Sequence, residues 1–313
     1  MSSPLGRRGF LALASANLVT ARADADDAMR KPIVSEEACP LETLTPVAPD
    51  GFKGFAVLRK PPGAGPFPAI LWIHGGLTTL PRTALQDLAR SGTNPSRFLA
   101  AGYVVIVPTY RSRDEDPQSK VSLEDCLAVV EHARNLPYVD AKSILVFGCS
   151  GGGDLALEIA AATNVCGIIP EEPASVLMSG VLNTGIPKQG ARYSPRDALP
   201  ILEEPRKYYT AVYQKVLRAK IARIQCPILI LQGDEDRQAN PVNRYNAQVL
   251  IPELRAAGKT LEVITYPREQ HCFCYTGRGP RPAAIWKAFR DMDAFCRRHI
   301  ATQPRAIEAA LVK

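Results

Sequence analysis

One stretch constrains this chain more than any other: Ser143-Ile-Leu-Val-Phe-Gly148-Cys149-Ser150-Gly151-Gly152-Gly153-Asp154. A short apolar run rich in branched residues has the signature of a buried strand, and it stops at glycines set around a single serine. The following Leu155–Ala162, reading L-A-L-E-I-A-A-A, has the pattern of a helix. Strand, sharp turn and helix with Gly148-x-Ser150-x-Gly152 at the turn is the arrangement of a nucleophile elbow. The glycines have a steric reason, because side chains two residues either side of the serine collide with neighbouring backbone. The helix that begins after Ser150 aims its first N–H groups at the place where an oxyanion would form. The sequence therefore points to Ser150, and not the adjacent Cys149, as a nucleophile.

The rest of the chain supplies a scaffold for that turn. Apolar runs fall at 52–59, 68–74, 103–108, 165–169, 228–231 and 261–266, and helical patterns at 85–101, 121–135, 205–224 and 283–299. Near-continuous apolar strands alternating with helices indicate a mostly parallel sheet covered on both faces, an α/β fold in a single domain over about 52–303. Ligands of such sheets bind at the carboxyl ends of the strands, where Ser150 falls. Residues 26–51 read as an irregular lead-in and 304–313 as a C-terminal tail. Residues 172–225 read as a small lid inserted between two strands, with Tyr208, Tyr209 and Tyr213 on its helix. Those tyrosines either line a substrate pocket or pack the helix on the sheet. Glu171-Glu172 reads as an exposed loop more readily than as a contact for a cationic substrate group.

A serine hydroxyl needs a base, and the base needs an acid that holds its tautomer. Of the four histidines, His132 and His299 fall in helical patterns, and His74 reads as a loop-orienting residue. His271, just beyond the last strand, is the candidate base. Three carboxylates, Asp234, Glu235 and Asp236, follow the strand at 228–231. Gly75 and Gly76, after the strand at 68–74, let backbone N–H groups approach an oxyanion together with the N–H of Gly151.

The order of Trp72-Ile-His-Gly-Gly76, Gly102-Tyr-Val-Val105, Tyr138-Val-Asp140, Gly148-Cys-Ser-Gly-Gly152, Gly233-x-x-Asp236 and His271 resembles the α/β-hydrolase superfamily. Within it the chain is similar to the catalytic domain of prolyl oligopeptidases and acylaminoacyl-peptidases, and to dienelactone-hydrolase-like esterases. The resemblance implies Ser150, His271 and Asp236 as triad, because Asp236 has the family spacing after Gly233. It implies no cofactor and no metal. The departures are informative. No propeller-sized segment precedes the strands, Gly151 stands where the peptidases often carry an aromatic, and dienelactone hydrolases place a cysteine where this chain has Ser150. The expectation is a serine hydrolase acting on a small ester, with a short peptide-like substrate as alternative and a non-catalytic binding protein as a third reading.

Composition bears on location and partners. Arg7-Arg8-Gly-Phe-Leu11, a modestly apolar run to Ala21 and Ala-x-Ala sites by residue 25 resemble a twin-arginine export signal. That implies a periplasmic or secreted protein that engages the export machinery transiently. The run is too short to span a bilayer, so no stable membrane insertion is expected. The net charge is +7, without a basic stripe, so no nucleic acid is expected as a partner. The eight cysteines follow no zinc spacing and read mainly as buried thiols, with pairing left open.

Overall fold

The computed structural model describes residues 33–90, 93–186, 188–234, 241–277 and 281–307. The export-signal reading of residues 1–25 and the candidate acid Asp236 both lie outside these residues.

Eight strands form one sheet: β1 (Glu42–Leu44), β2 (Ala56–Arg59), β3 (Phe67–Ile73), β4 (Val104–Pro108), β5 (Val139–Cys149), β6 (Gly167–Glu171), β7 (Ile228–Gly233) and β8 (Leu261–Tyr266). Their spatial order is β1-β2-β4-β3-β5-β6-β7-β8. β1 and β2 pair antiparallel at one edge, and β4 through β8 run parallel. This is the α/β-hydrolase architecture that the sequence predicts.

The central strands are apolar throughout because both faces of the sheet are covered. Alternate residues sort to opposite sides, as a period of two requires. Leu71, Ile73, Ile144, Val146, Ile168, Ile228 and Ile230 enter one core, closed by the helix Gly151–Ala162 and its neighbours. Ile70, Trp72, Leu145, Phe147, Ile169, Leu229 and Leu231 enter the other, closed in part by the helix Pro282–His299. Trp72 stacks on Phe147 at 3.7 Å between ring centroids, locking β3 to β5 on that side.

Four boundaries differ from expectation. The lead-in is not wholly irregular, since Glu42–Leu44 adds the edge strand β1 to β2. The single helix expected over 85–101 is two helices, Arg82–Arg90 and Asn94–Ala100, the second with Pro95 in its first turn, where a missing N–H costs nothing. The expected helix 205–224 is likewise split into Pro205–Tyr208 and Ala211–Arg223. Finally, the start of the C-terminal tail is built into the fold: Ile307 N–H donates to Ala100 O at 2.9 Å, and the Arg305 backbone packs where a Cβ on Gly102 would stand.

The long helix of the inserted segment, Ala211–Arg223, buries Leu217 and Ile221, and its Lys220 reaches Glu158 on the helix Gly151–Ala162 at 2.5 Å. Tyr208, Tyr209 and Tyr213 are half-buried and pack against the same core. No helix among the described residues is long and apolar enough to cross a membrane.

Candidate active site

β5 ends at Cys149, Ser150 follows, and the helix starts at Gly151. Ser150 holds φ 51° and ψ −115°, a conformation that L-residues rarely adopt and that costs on the order of 1–3 kcal/mol. Its neighbours hold it there. Ser150 N–H donates to Glu171 O at 2.8 Å, and its own carbonyl accepts from the N–H groups of Asp154 (3.0 Å) and Ala174 (2.9 Å). The glycines are required by close approach. A Cβ on Gly148 would lie 2.1 Å from Gly152 O, and one on Gly152 would lie 2.3 Å from His74 O.

The Gly75-Gly76 turn after β3 sits directly beside this elbow. A Cβ on Gly75 would stand 3.3 Å from Ser150 Cβ, and one on Gly151 only 2.3 Å from Gly76 O. Gly75, Gly76 and Gly151, singled out in the sequence, thus meet around Ser150. The turn itself is pinned from below. Tyr110 Oη donates toward His74 O (3.2 Å) and Gly76 O (3.0 Å), while its ring stacks on His74 at 4.2 Å. His74 is buried, and that burial pushes its pKa down to about 4, so it stays neutral at physiological pH. It is a structural part of the turn, as the sequence implied.

Arg113 is a member of this assembly that no motif in the sequence singles out. It is buried, donates to Gly151 O at 2.7 Å, and forms an ion pair with Asp154 at 3.0 Å. One guanidinium therefore clamps the first turn of the elbow helix.

His271 lies on the loop after β8, exposed on one side. Its Nδ1 meets Glu172 Oε2 at 2.7 Å. The expectation that Glu171-Glu172 forms an exposed loop is overturned, since both are fully buried at the end of β6. Glu172 has a positive φ of 44°, which turns it out of the strand direction toward β7. Its carboxylate is held by donors on both oxygens: Gly233 N–H (2.9 Å) and Asn243 Nδ2 (3.1 Å) on Oε1, Cys272 N–H (2.6 Å) beside His271 on Oε2. A buried carboxylate survives only when so supplied. The signal available in sequence was position: Glu172 closes the strand next to the serine's own and keeps the order serine, acid, histidine. Asp234, one of the carboxylates weighed against Asp236, instead accepts from Arg268 N–H at 2.6 Å.

The serine strand and the histidine loop touch. Cys149, preceding Ser150, and Cys272, following His271, place their Sγ atoms within 4.8 Å of each other and of the Glu171 carboxylate. Burial and the neighbouring Glu172 charge hold the Glu171 carboxyl well above the usual carboxylate range. Trp72 Nε1 ties the same loop to β3 through Tyr275 O at 2.8 Å. The strand ends of β3, β5, β6 and β8 therefore gather a strained serine, a glycine turn, a buried carboxylate and an accessible imidazole.

Comparison with known proteins places this assembly. The family model for the prolyl oligopeptidase family (Peptidase_S9) matches residues 91–303. The chain belongs to that family. It is thus a serine hydrolase on an α/β-hydrolase scaffold. A thermostable monoacylglycerol lipase of Bacillus sp. (strain H-257) is 28% identical over 204 residues, 58% of this chain and 78% of that protein. Among solved structures, a puromycin-hydrolyzing peptidase of Mycobacterium tuberculosis superposes with a TM-score of 0.61 at 19% identity, over 86% of this chain. The chain spans only 40% of that peptidase's length. Carboxyl esterase 2 of Tuber melanosporum superposes with a TM-score of 0.59 at 18% identity, covering 88% of this chain and 96% of its own.

Proposed function

We propose that this prolyl oligopeptidase family member is a carboxylic ester hydrolase that works through an acyl-enzyme at Ser150. The observation that carries the reading is His271, anchored through Nδ1 by the buried Glu172, on a loop that meets the strand end next to the strained Ser150. Ser150 Oγ attacks the acyl carbonyl as His271 Nε2 takes its proton. Glu172 fixes the tautomer that leaves Nε2 free to accept, and stabilises the imidazolium that forms. The N–H groups of Gly76 and Gly151 receive the oxyanion. His271 then returns the proton to the leaving alcohol, and water, activated the same way, releases the acid. Asp236 is the alternative anchor that the family spacing favours. Segment 172–225, whose Ala174 N–H donates to Ser150 O at 2.9 Å, is proposed to shape the acyl or alcohol pocket.

The likeness to a monoacylglycerol lipase and to a carboxyl esterase supports an ester over a peptide. The family's peptidases keep the second reading open. The Arg7-Arg8 leader supports export to the periplasm or beyond. The test is fluorophosphonate labelling with peptide mapping, alongside turnover of p-nitrophenyl esters and aminoacyl anilides. Label on Ser150 with faster ester turnover is expected. Faster anilide turnover would move the assignment to peptidase, and an unlabelled folded chain would point to a binding protein.

A further inference from the structure

Two thiols lie beneath the proposed site and take no part in the relay. Cys149 ends β5 and is buried, whereas Cys272 sits on the histidine loop, partly exposed, with a positive φ of 60°. Both are free, and the two thiols hydrogen-bond to each other. Beside them Glu171 Oε2 is buried without a hydrogen-bond partner. Cys149 and Cys272 flank Ser150 and His271 directly in sequence, so any covalent change between them acts on the relation between nucleophile and base.

We propose that Cys149 and Cys272 form a reversible disulfide on exposure to a small-molecule disulfide, and that this cross-link switches the hydrolase off. The inference rests on the serine-hydrolase reading for its effect on activity, though not for the bond itself. The chemistry balances as thiol–disulfide exchange. Burial and the neighbouring Cys149, Glu171 and Glu172 hold the Cys272 thiol well above its ordinary pKa, so exchange is expected at alkaline pH, where Cys272 as thiolate attacks oxidised glutathione and expels one glutathione thiolate. Cys149, as thiolate, then attacks the Cys272 sulfur of the mixed disulfide and expels the second. Two protein thiols are oxidised, one glutathione disulfide is reduced to two thiols, and the protein's two protons pass to solvent or to the leaving thiolates.

The effect on catalysis follows from geometry. A disulfide fixes its sulfurs at about 2.05 Å, so the gap must close from the present spacing. Cys149 is anchored in the centre of the sheet, and the loop must therefore do the moving. Cys272 carries the N–H that donates to Glu172 Oε2 at 2.6 Å, on the same oxygen that anchors His271. Drawing Cys272 toward β5 displaces that N–H and the adjoining imidazole together. Misplacement of a catalytic group by about 1 Å costs on the order of 10²-fold in rate.

The experiment treats the reduced full chain with oxidised glutathione, alkylates remaining thiols and maps peptides by mass spectrometry, with ester turnover followed in parallel. A Cys149–Cys272 linked peptide is expected, with turnover down on the order of 10²-fold and restored by dithiothreitol. Cys149→Ser and Cys272→Ser, each compared with its own reduced form, should lose the sensitivity to oxidant. Absence of linkage, a glutathione adduct alone, linkage elsewhere such as Cys166 to Cys226, or a Cys149–Cys272 bond without change in turnover would each overturn the proposal. Failure of Ser150 to label in the reduced chain would instead sink the hydrolase reading, and the peptide map would still report on the thiols.

Discussion

At the scale of single residues, the site separates a nucleophile from the groups that prepare it. Ser150→Ala removes the attacking oxygen and only a half-buried hydroxyl, so ester turnover should fall about 10⁴-fold or more while the melting temperature stays near the parent's. Near-parental turnover in that variant would refute the assignment. The acid can be resolved by a pair of substitutions. Glu172→Gln keeps shape and burial but offers His271 Nδ1 an amide, and by analogy with amide replacements of triad acids the expected loss approaches 10⁴-fold in turnover. Asp236→Asn should leave turnover close to the parent's. The reverse pattern in a steady-state comparison would hand the role to Asp236, as the family spacing has it.

At the scale of elements, the elbow depends on backbone packed against backbone. Gly152→Ala would put a Cβ 2.3 Å from the His74 carbonyl, an atom that belongs to the turn after β3 and has no rotamer to escape into. Ordinary overpacking costs about 1–3 kcal/mol, and here the strand end must move as well, so the loss should exceed that range. Urea unfolding measures it; a midpoint unchanged from the parent would contradict the packing described. The Arg113 clamp makes a second test. Arg113→Met leaves the buried Asp154 without its cation, a one-sided loss of about 3–5 kcal/mol. Burial raises the Asp154 pKa to about 6 even with Arg113 pulling it down, so without Arg113 the carboxyl takes up its proton at higher pH and the penalty should shrink as pH falls toward 6.

For the whole molecule, buried titratable groups tie stability to pH in opposite directions. Glu171 holds its proton in the fold well above its ordinary value of 4.5, chiefly through burial. Above that value the unfolded chain releases a proton that the folded chain keeps, so this group's contribution is full in acid and lost as pH rises. His74, held down at about 4, acts oppositely between there and 6.5, where the unfolded chain binds the extra proton. Glu171→Gln isolates the first effect. Relative to the parent, the variant's unfolding midpoint should rise as pH is raised above 4.5, and parallel profiles would exclude a Glu171 that keeps its proton in the fold.

How much of this was legible beforehand follows from what each feature depends on. The parallel sheet, the elbow, the glycine turn and the placing of His271 at a strand end were readable because each is local: a run of apolar residues, a glycine that excludes a side chain, a loop after a strand. The helix break before Asn94 had its signal in Pro95, whereas the break at Tyr209-Thr210 carries no proline, and in both the apolar periodicity ran on across it. Glu172, Arg113 and the Cys149–Cys272 contact were not legible as partners. A carboxylate next to another at a loop edge looks solvated until β6 is known to lie between the serine's strand and β7. Which charges are buried, and what donors surround them, depends on strands brought together from distant parts of the chain. The sequence by itself determined the fold and singled out Ser150 and His271 as the residues to propose as nucleophile and base, since steric rules and hydrophobic periods act within a few residues. Only the tertiary structure decided which acid meets the histidine and which thiols face each other, because those contacts join segments about a hundred residues apart whose meeting is set by sheet order.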